Sequence, residues 1–474
     1  MFPEGFKWGA ASSAYQIEGA ARIDGRGDSV WDEFCRTPGK VHKSSNGEVA
    51  CDHYHRMYED VQMMKWMGLK AYRFSTSWSR VLPTGVGEIN EKGLSFYDVL
   101  VDALLEAGIE PWLTLYHWDM PLDLQNRGGW MNPDSPRWFA DYAAVMTDRL
   151  SDRVKHWITI NEPQIFIGLG HRDGTHAPGL KLPTRDWLLA GHHALMAHGA
   201  AVQAIRAHAK RPLQVGWAPC ARVDLPASMS PLDIEAARHR FASVHSVDCW
   251  NNTWWADPVM LGHYPADGLA LFAADLPEFK DEDFKLIKQP LDFYGVNIYS
   301  GERFAADALG RPMHVPWPDG HPVTTFRWPV VPESLYWGPR FLHERYHLPV
   351  VITENGLSNA DWVATDGTVP DPQRIDFTSK YLGCLLQAVR DGVPVQGYFH
   401  WSIFDNFEWA EGYEKRFGLI FIDYRTGQRI PKSSAHWYRD VIASKGKQIV
   451  PAAQLTLGPI GLNKPGAASA KELV

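Results

Sequence analysis

Two glutamates stand where short apolar runs end: Glu162 closes HWITINE (156–162) and Glu354 closes PVVITE (349–354). A carboxylate at the end of a strand that reads as buried is costly unless it is paired or has chemistry to perform. Two such carboxylates around one reacting carbon are what glycoside hydrolysis requires. One, held as the acid, protonates the departing oxygen. The other lies across the anomeric carbon, and at a separation of ~5–5.5 Å it attacks directly and configuration is retained. One glutamate alone at a sheet rim reads equally well as half of an ion pair. Two at matched strand ends, amid Trp and His, point to a shared site.

The elements that must position them follow from the apolar pattern. Eight runs read as strands: 6–11, 69–75, 109–117, 156–162, 214–219, 292–299, 349–354 and 395–401. Between them lie helix-like stretches at 55–68, 93–108, 136–153 and 376–392, and Gly68, Gly108 and Gly392 follow the last periodic residue as C-terminal glycines do. Eight strands alternating with helices predict an α/β fold, a single (β/α)8 TIM barrel with long loops at the C-terminal face of the strands. A doubly wound sheet is the alternative, but no G-x-G-x-x-G follows the first strand. In the barrel reading Arg73, His117, Asn161, Glu162, Tyr299, Glu354 and Trp401 all fall at strand C-termini, although periodicity alone chose the strands. Segments 301–333 and 357–375, rich in Pro, Gly and Asp, read as long loops at the mouth. The expected organisation is one catalytic domain over 1–450, with 451–474 a C-terminal arm or partly disordered tail.

Composition narrows the class. The 474 residues are 45% hydrophobic and 22% charged with a net charge of −8, ordinary for a globular protein with a large core and a poor match to nucleic acid. No apolar run is long enough to span a membrane, and the N-terminus lacks the apolar segment of a signal peptide, so a cytoplasmic protein is expected. Five scattered cysteines without a C-x-x-C pair read as reduced thiols. Neither a metal nor a cofactor is expected. His53 and His55 face different ways at a helix start, and His192, His193 and His198 lack the zinc spacing. Tryptophan is in excess, 21 residues, which serves both core packing and sugar-ring recognition.

Four motifs in order, FKWGAASSAYQIEG (6–19), NEP (161–163), TENG (353–356) and DNFEWAEGYEKRFGLIFIDY (405–424), carry a resemblance. The chain resembles the β-glucosidases of glycoside hydrolase family 1 from about Phe2 to about Ile449. The resemblance implies a retaining reaction with Glu354 as nucleophile and Glu162 as acid, then base. It implies that Arg73 and Tyr299 hold the nucleophile ionised and that Asn161 meets the sugar 2-hydroxyl. Gln16, His117, Trp118, Glu408 and Trp409 match the set around the non-reducing sugar, with Trp401 as platform, His117 as a neutral donor and Asn297 among the binding residues. Trp328 matches an aromatic of the leaving-group side. Relatives that cleave 6-phospho-β-glycosides typically carry Ser, Lys and Tyr where this chain has Glu408, Lys415 and Phe417. A carboxylate there repels a sugar phosphate, so the implied substrate is an unphosphorylated β-glucoside or oligosaccharide, cellobiose included, with β-galactosyl and β-fucosyl units as further candidates.

Two positions depart from the pattern. Cys220 stands where Asn is common, and His171 where Tyr is usual; both bear on leaving-group preference. A non-catalytic sugar-binding barrel and a transglycosylase are the competing readings, and both catalytic glutamates being present weighs against the first. For the second, segments 170–185 and 301–333 would build the acceptor channel. Assembly as a homo-oligomer is left open.

Overall fold

The computed structural model describes residues 1–452; the expected tail lies, from residue 453 on, outside the described residues. Eight parallel strands form the barrel: β1 (Lys7–Ala11), β2 (Ala71–Ser75), β3 (Glu110–Tyr116), β4 (His156–Asn161), β5 (Gln214–Ala218), β6 (Tyr294–Asn297), β7 (Val350–Asn355) and β8 (Val395–Trp401). They pair in the order β5-β4-β3-β2-β1-β8-β7-β6. The seam between β5 and β6 is closed by single bonds, Asp292 N to Val215 O at 2.8 Å and Asn297 N to Pro219 O at 3.0 Å. All eight expected strands are present; six are somewhat shorter than their apolar runs, β7 is shifted by one residue and β8 matches its run. Their continuous Val, Ile and aromatic content suits strands covered on both faces.

Aromatic rings plug the barrel interior. Trp112 stacks on His156 with centroids 4.0 Å apart and planes at 1°, and packs on Phe293 and Phe399 at 5.3 and 5.0 Å. Glycines make the room: a Cβ on Gly9 would lie 2.5 Å from Phe399, and one on Gly216 would lie 2.4 Å from Phe293. Beneath the plug, Glu110 bonds both Lys7 and His156, each at 2.5 Å.

The four expected helices are His53–Trp66, Glu91–Glu106, Ser135–Leu150 and Pro372–Arg390. Gly68 and Gly108 follow their helices with φ of +72° and +74°, the left-handed geometry glycine adopts without a Cβ penalty. The histidines of the long helix Thr184–His208 are engaged in packing: His192 with Tyr264 at 3.0 Å, His193 with the Trp130 carbonyl at 2.8 Å, His198 with Thr159 at 2.6 Å. All five cysteines are free. Among the described residues no helix is long and apolar enough to cross a membrane.

One expectation needs correction. Segment 301–333 is not irregular throughout: Gly301–Ala306 and Pro312–Val315 are strands that join Val223–Pro226 in a three-stranded sheet beside the barrel mouth. These strands are short and partly exposed, so neither a continuous apolar run nor clean alternation marks them.

Candidate active site

The strand ends deliver their side chains to one cleft of about 380 Å³ above the aromatic plug. Glu162, Glu354, His117, Trp118, Tyr299, Trp328, Trp401, Glu408, Trp409 and Phe417 all line it. Gln16, Arg73, Asn161 and Asn297 stand immediately behind that wall, fully or almost fully buried, and act on the lining residues. Thus all fourteen residues singled out by sequence converge, ten on the surface of the cleft and four in its support.

The two central carboxylates have different partners. Arg73 donates Nη1 to Glu354 Oε1 at 2.6 Å, and Tyr299 donates its hydroxyl to Glu354 Oε2 at 2.6 Å. Glu162 receives a neutral amide instead, Asn297 Nδ2 to Oε1 at 2.7 Å. The orientation of that amide is fixed, because Thr353 donates to Asn297 Oδ1 at 2.6 Å and leaves only the NH2 facing Glu162. Arg73 is itself aligned by Thr114 at 3.2 Å, the Thr353 carbonyl at 3.0 Å and Asn161 Oδ1 at 2.6 Å.

Titration follows these partners. Burial and then the charge of Glu354 push Glu162 up to about 8. Burial also raises Glu354, but Arg73 and the Tyr299 hydroxyl oppose the rise. Of two acids that cannot both ionise cheaply, the one held by a guanidinium keeps the charge and the one held by an amide keeps the proton. Burial, Glu354 and Glu162 together keep the Tyr299 phenol protonated, as its donor role requires. Glu408 rises well above the usual carboxylate range from burial and from the same two neighbours.

His117 is held neutral by burial and by the charge of Arg73. Since Asn161 Oδ1 accepts from Arg73, its NH2 faces His117 Nε2 at 3.1 Å. Nε2 is therefore the acceptor and the ring proton sits on Nδ1, a buried atom with no partner among the described residues. The neutral donor expected from the sequence is thus Nδ1. Trp118 spends its indole N–H on the Asn161 carbonyl at 3.0 Å, so it offers a ring and no donor. Gln16 bonds Asn406, the Phe407 carbonyl and Glu408 at 3.1, 2.9 and 3.5 Å, tying the first strand's loop to the last.

Three lining residues that are not glycine have positive φ: Glu162 at 45°, Trp118 at 77° and Trp409 at 51°. Such backbone costs about 1–3 kcal/mol per residue and collects at functional sites. Glu162 immediately precedes Pro163, which opens the next helix and disfavours a right-handed conformation in the residue before it.

The cleft is also lined by residues that were not singled out by sequence: Ile165, Leu169, His176, Arg222, Trp250, Glu302 and Phe326. Only Phe326 had a legible signal, its i+2 spacing from Trp328, with which it stacks at 4.7 Å. Cys220 lies on the same side as Glu162 in this wall. His171 is buried, bonding the Phe166 carbonyl at 2.8 Å, and does not line the cleft.

Comparison with known proteins identifies the family and the fold. The family model described as glycosyl hydrolase family 1 matches residues 1–447. Beta-glucosidase A of Thermotoga maritima is 44% identical over 94% of this chain and 98% of its own length. A 1,4-beta-D-glucan glucohydrolase of Thermotoga neapolitana is 44% identical over 94% of this chain and 99% of its own. The structure of the T. maritima beta-glucosidase in complex with glucoimidazole superposes with a TM-score of 0.86 at 43% identity, covering 94% of this chain and 99% of that one.

Proposed function

The chain belongs to glycosyl hydrolase family 1 and is a glycoside hydrolase of the β-glucosidase kind, and from that premise we propose the residues and the course of its reaction. The substrate is a terminal, unphosphorylated β-D-glucosyl unit at the non-reducing end of a glucoside or oligosaccharide, cellobiose among them, with β-galactosyl and β-fucosyl units accepted in second place. Glu354, ionised by Arg73, attacks the anomeric carbon and forms a glycosyl ester. Glu162, protonated, gives its proton to the departing oxygen. Once the ester has removed the charge of Glu354, the main neighbouring anion that raises Glu162 is gone. Its pKa falls, and it becomes the base that draws a proton from the incoming water. Glu408, braced from behind by Gln16, and His117 Nδ1 hold the sugar hydroxyls, and Trp401 lies beneath the ring. Five free cysteines fit a reducing compartment, and cytoplasmic use on imported glucosides completes the reading.

The observation that supports the assignment of roles is the unequal pairing of two neighbouring acids, guanidinium and phenol on Glu354, amide on Glu162. The test is release of p-nitrophenol from its β-glucoside by wild type, Glu162→Gln and Glu354→Gln. Turnover should be lost in Glu354→Gln, while azide or formate should restore product from Glu354→Ala with inverted configuration. Rescue with retained configuration would sink the assignment of Glu354.

A further inference from the structure

The proposed reading leaves the leaving group unspecified, and the outer cleft carries information about it. Its walls are apolar and aromatic, with Trp250, Phe326 and Trp328 among them, a surface suited to a flat ring rather than to the many hydroxyls of a second sugar. Into this setting projects Arg222, the one arginine or lysine among the lining residues.

Arg222 is held by its backbone and left open at its head. Its N–H and carbonyl clasp the Asn252 side chain at 3.1 and 2.9 Å. Its guanidinium, half-buried, makes no hydrogen bond, ion pair or ring contact among the described residues. Two other arginines around the same three-stranded sheet have partners for their guanidinium heads, although the Nε of each is left without a hydrogen bond. Arg303 donates to the Pro316 carbonyl at 2.6 Å and lies 4.3 Å over Trp317, and Arg240 sits over Phe304 at 5.1 Å. Nearby acids are engaged or masked. Glu302 bonds His314 at 3.0 Å and Glu411 is 3.5 Å from Lys415. Asp224 is buried behind the wall, where desolvation pushes it up to about 7 against the opposing charges of Arg222 and Arg240, and it makes no direct ion pair with Arg222. A planar, weakly hydrated cation whose head makes no direct hydrogen bond or ion pair among the described residues, in a cleft with low-dielectric walls, is a seat for a carboxylate, which it grips with two parallel N–H bonds.

We propose that Arg222 makes this enzyme selective for β-glucosides of aromatic carboxylic acids, the ring resting on the outer aromatic wall and the carboxylate on the guanidinium. This rests on the β-glucosidase reading above. The probes are 3- and 4-carboxyphenyl β-glucosides, each against its methyl ester. The ester is the better leaving group, so preference for the carboxylate cannot come from ease of departure.

Wild type should favour at least one carboxylate over its ester by about fivefold or more in kcat/KM, as expected for a charge-assisted bond. That ratio should fall toward one in Arg222→Gln, persist in part in Arg222→Lys, and shrink as salt rises. A wild-type ratio at or below one overturns the proposal, as does a ratio that Arg222→Gln leaves intact. Loss of cellobiose cleavage in Arg222→Gln with the ratio unmoved would reassign Arg222 to a sugar subsite, and the proposal fails. Failure of wild type to cleave p-nitrophenyl β-glucoside would instead count against the β-glucosidase reading itself, so the two ideas fall separately.

Discussion

Two buried charge clusters lie near each other at the mouth of the barrel and are built on opposite plans. In the first, Glu162, Glu354 and Glu408 share one cation, Arg73. In the second, Asp361, Asp371 and Asp405 meet Arg374, Arg416 and Lys432, charge for charge. Lys432 bridges Asp361 and Asp405 at 2.6 Å each, Arg374 bonds Asp361 at 2.7 Å and also reaches Asp371, and Arg416 bonds Asp405 at 2.6 Å. Against the cost of burial, Arg374 and Lys432 hold Asp361 below the usual carboxylate range, whereas Glu162 and Glu408 are driven above it. The balanced cluster binds the segment after Glu354 to the loop that carries Glu408 and Trp409. The unbalanced cluster is what that frame holds in place. Satisfied charge fixes geometry; unsatisfied charge stores the drive for proton transfer and attack.

The contrast can be broken at its strongest point first. Glu354→Gln should lower kcat/KM by at least about four orders of magnitude, the scale of losing a nucleophile, while unfolding temperature holds or rises because an expensive buried acid is gone. Lys432→Met should do the reverse. Stripping one partner from a buried ion network costs about 3–5 kcal/mol, read in denaturant unfolding, and the folded fraction should lose affinity through KM more than kcat. If Lys432→Met left stability untouched, the two clusters would not differ as described.

Finer tests address the unequal acids. Tyr299→Phe should reduce kcat/KM by about 10- to 100-fold, the worth of one hydrogen bond to a charged group. It should also move the acid limb of the pH–rate profile upward, since the phenol helps keep Glu354 ionised. The alkaline limb of wild type should fall near pH 8, because the acid role needs the Glu162 proton and that proton leaves as pH rises through its pKa. Titration of Glu162 in Glu354→Gln, followed by carbon NMR of the labelled carboxyl, should show a lower pKa than in wild type. An unchanged value would mean that burial alone raises it. The smallest effect is expected for Asn297→Asp, provided the new carboxyl is protonated and still donates to Glu162; at higher pH it should become a third charge and depress activity steeply.

The barrel and the paired carboxylates at its mouth were legible because each rests on a strong local signal. Strands covered on both faces are continuous apolar runs, and a glutamate ending such a run is conspicuous. The support behind the pair was legible only through resemblance: nothing local says that Asn297 aims at Glu162, since Thr353 on another strand decides which way its amide turns. The charge network at Asp361, Arg374 and Lys432 was invisible, because an Asp in a Pro- and Gly-rich segment reads as solvated until a distant cation is seen to cover it. Arg222 was passed over for the converse reason: a lone arginine after a strand is ordinary, and only the aromatic walls around it change its meaning.

The plug of Trp112, His156, Phe293 and Phe399 has a kinetic consequence. It closes the cleft at its floor, and in the proposed reaction the glycone would sit at that closed end. Whatever is cleaved must back out in order: the aglycone departs first, water enters through the space it vacates, and the sugar leaves last. On the proposed reading only a chain terminus would reach the bottom, so a long glucan would be shortened one unit at a time rather than cut within. Free glucose would then compete with substrate for the innermost seat, and as it accumulated, the same floor that shelters the reaction would set the pace at which the enzyme is emptied.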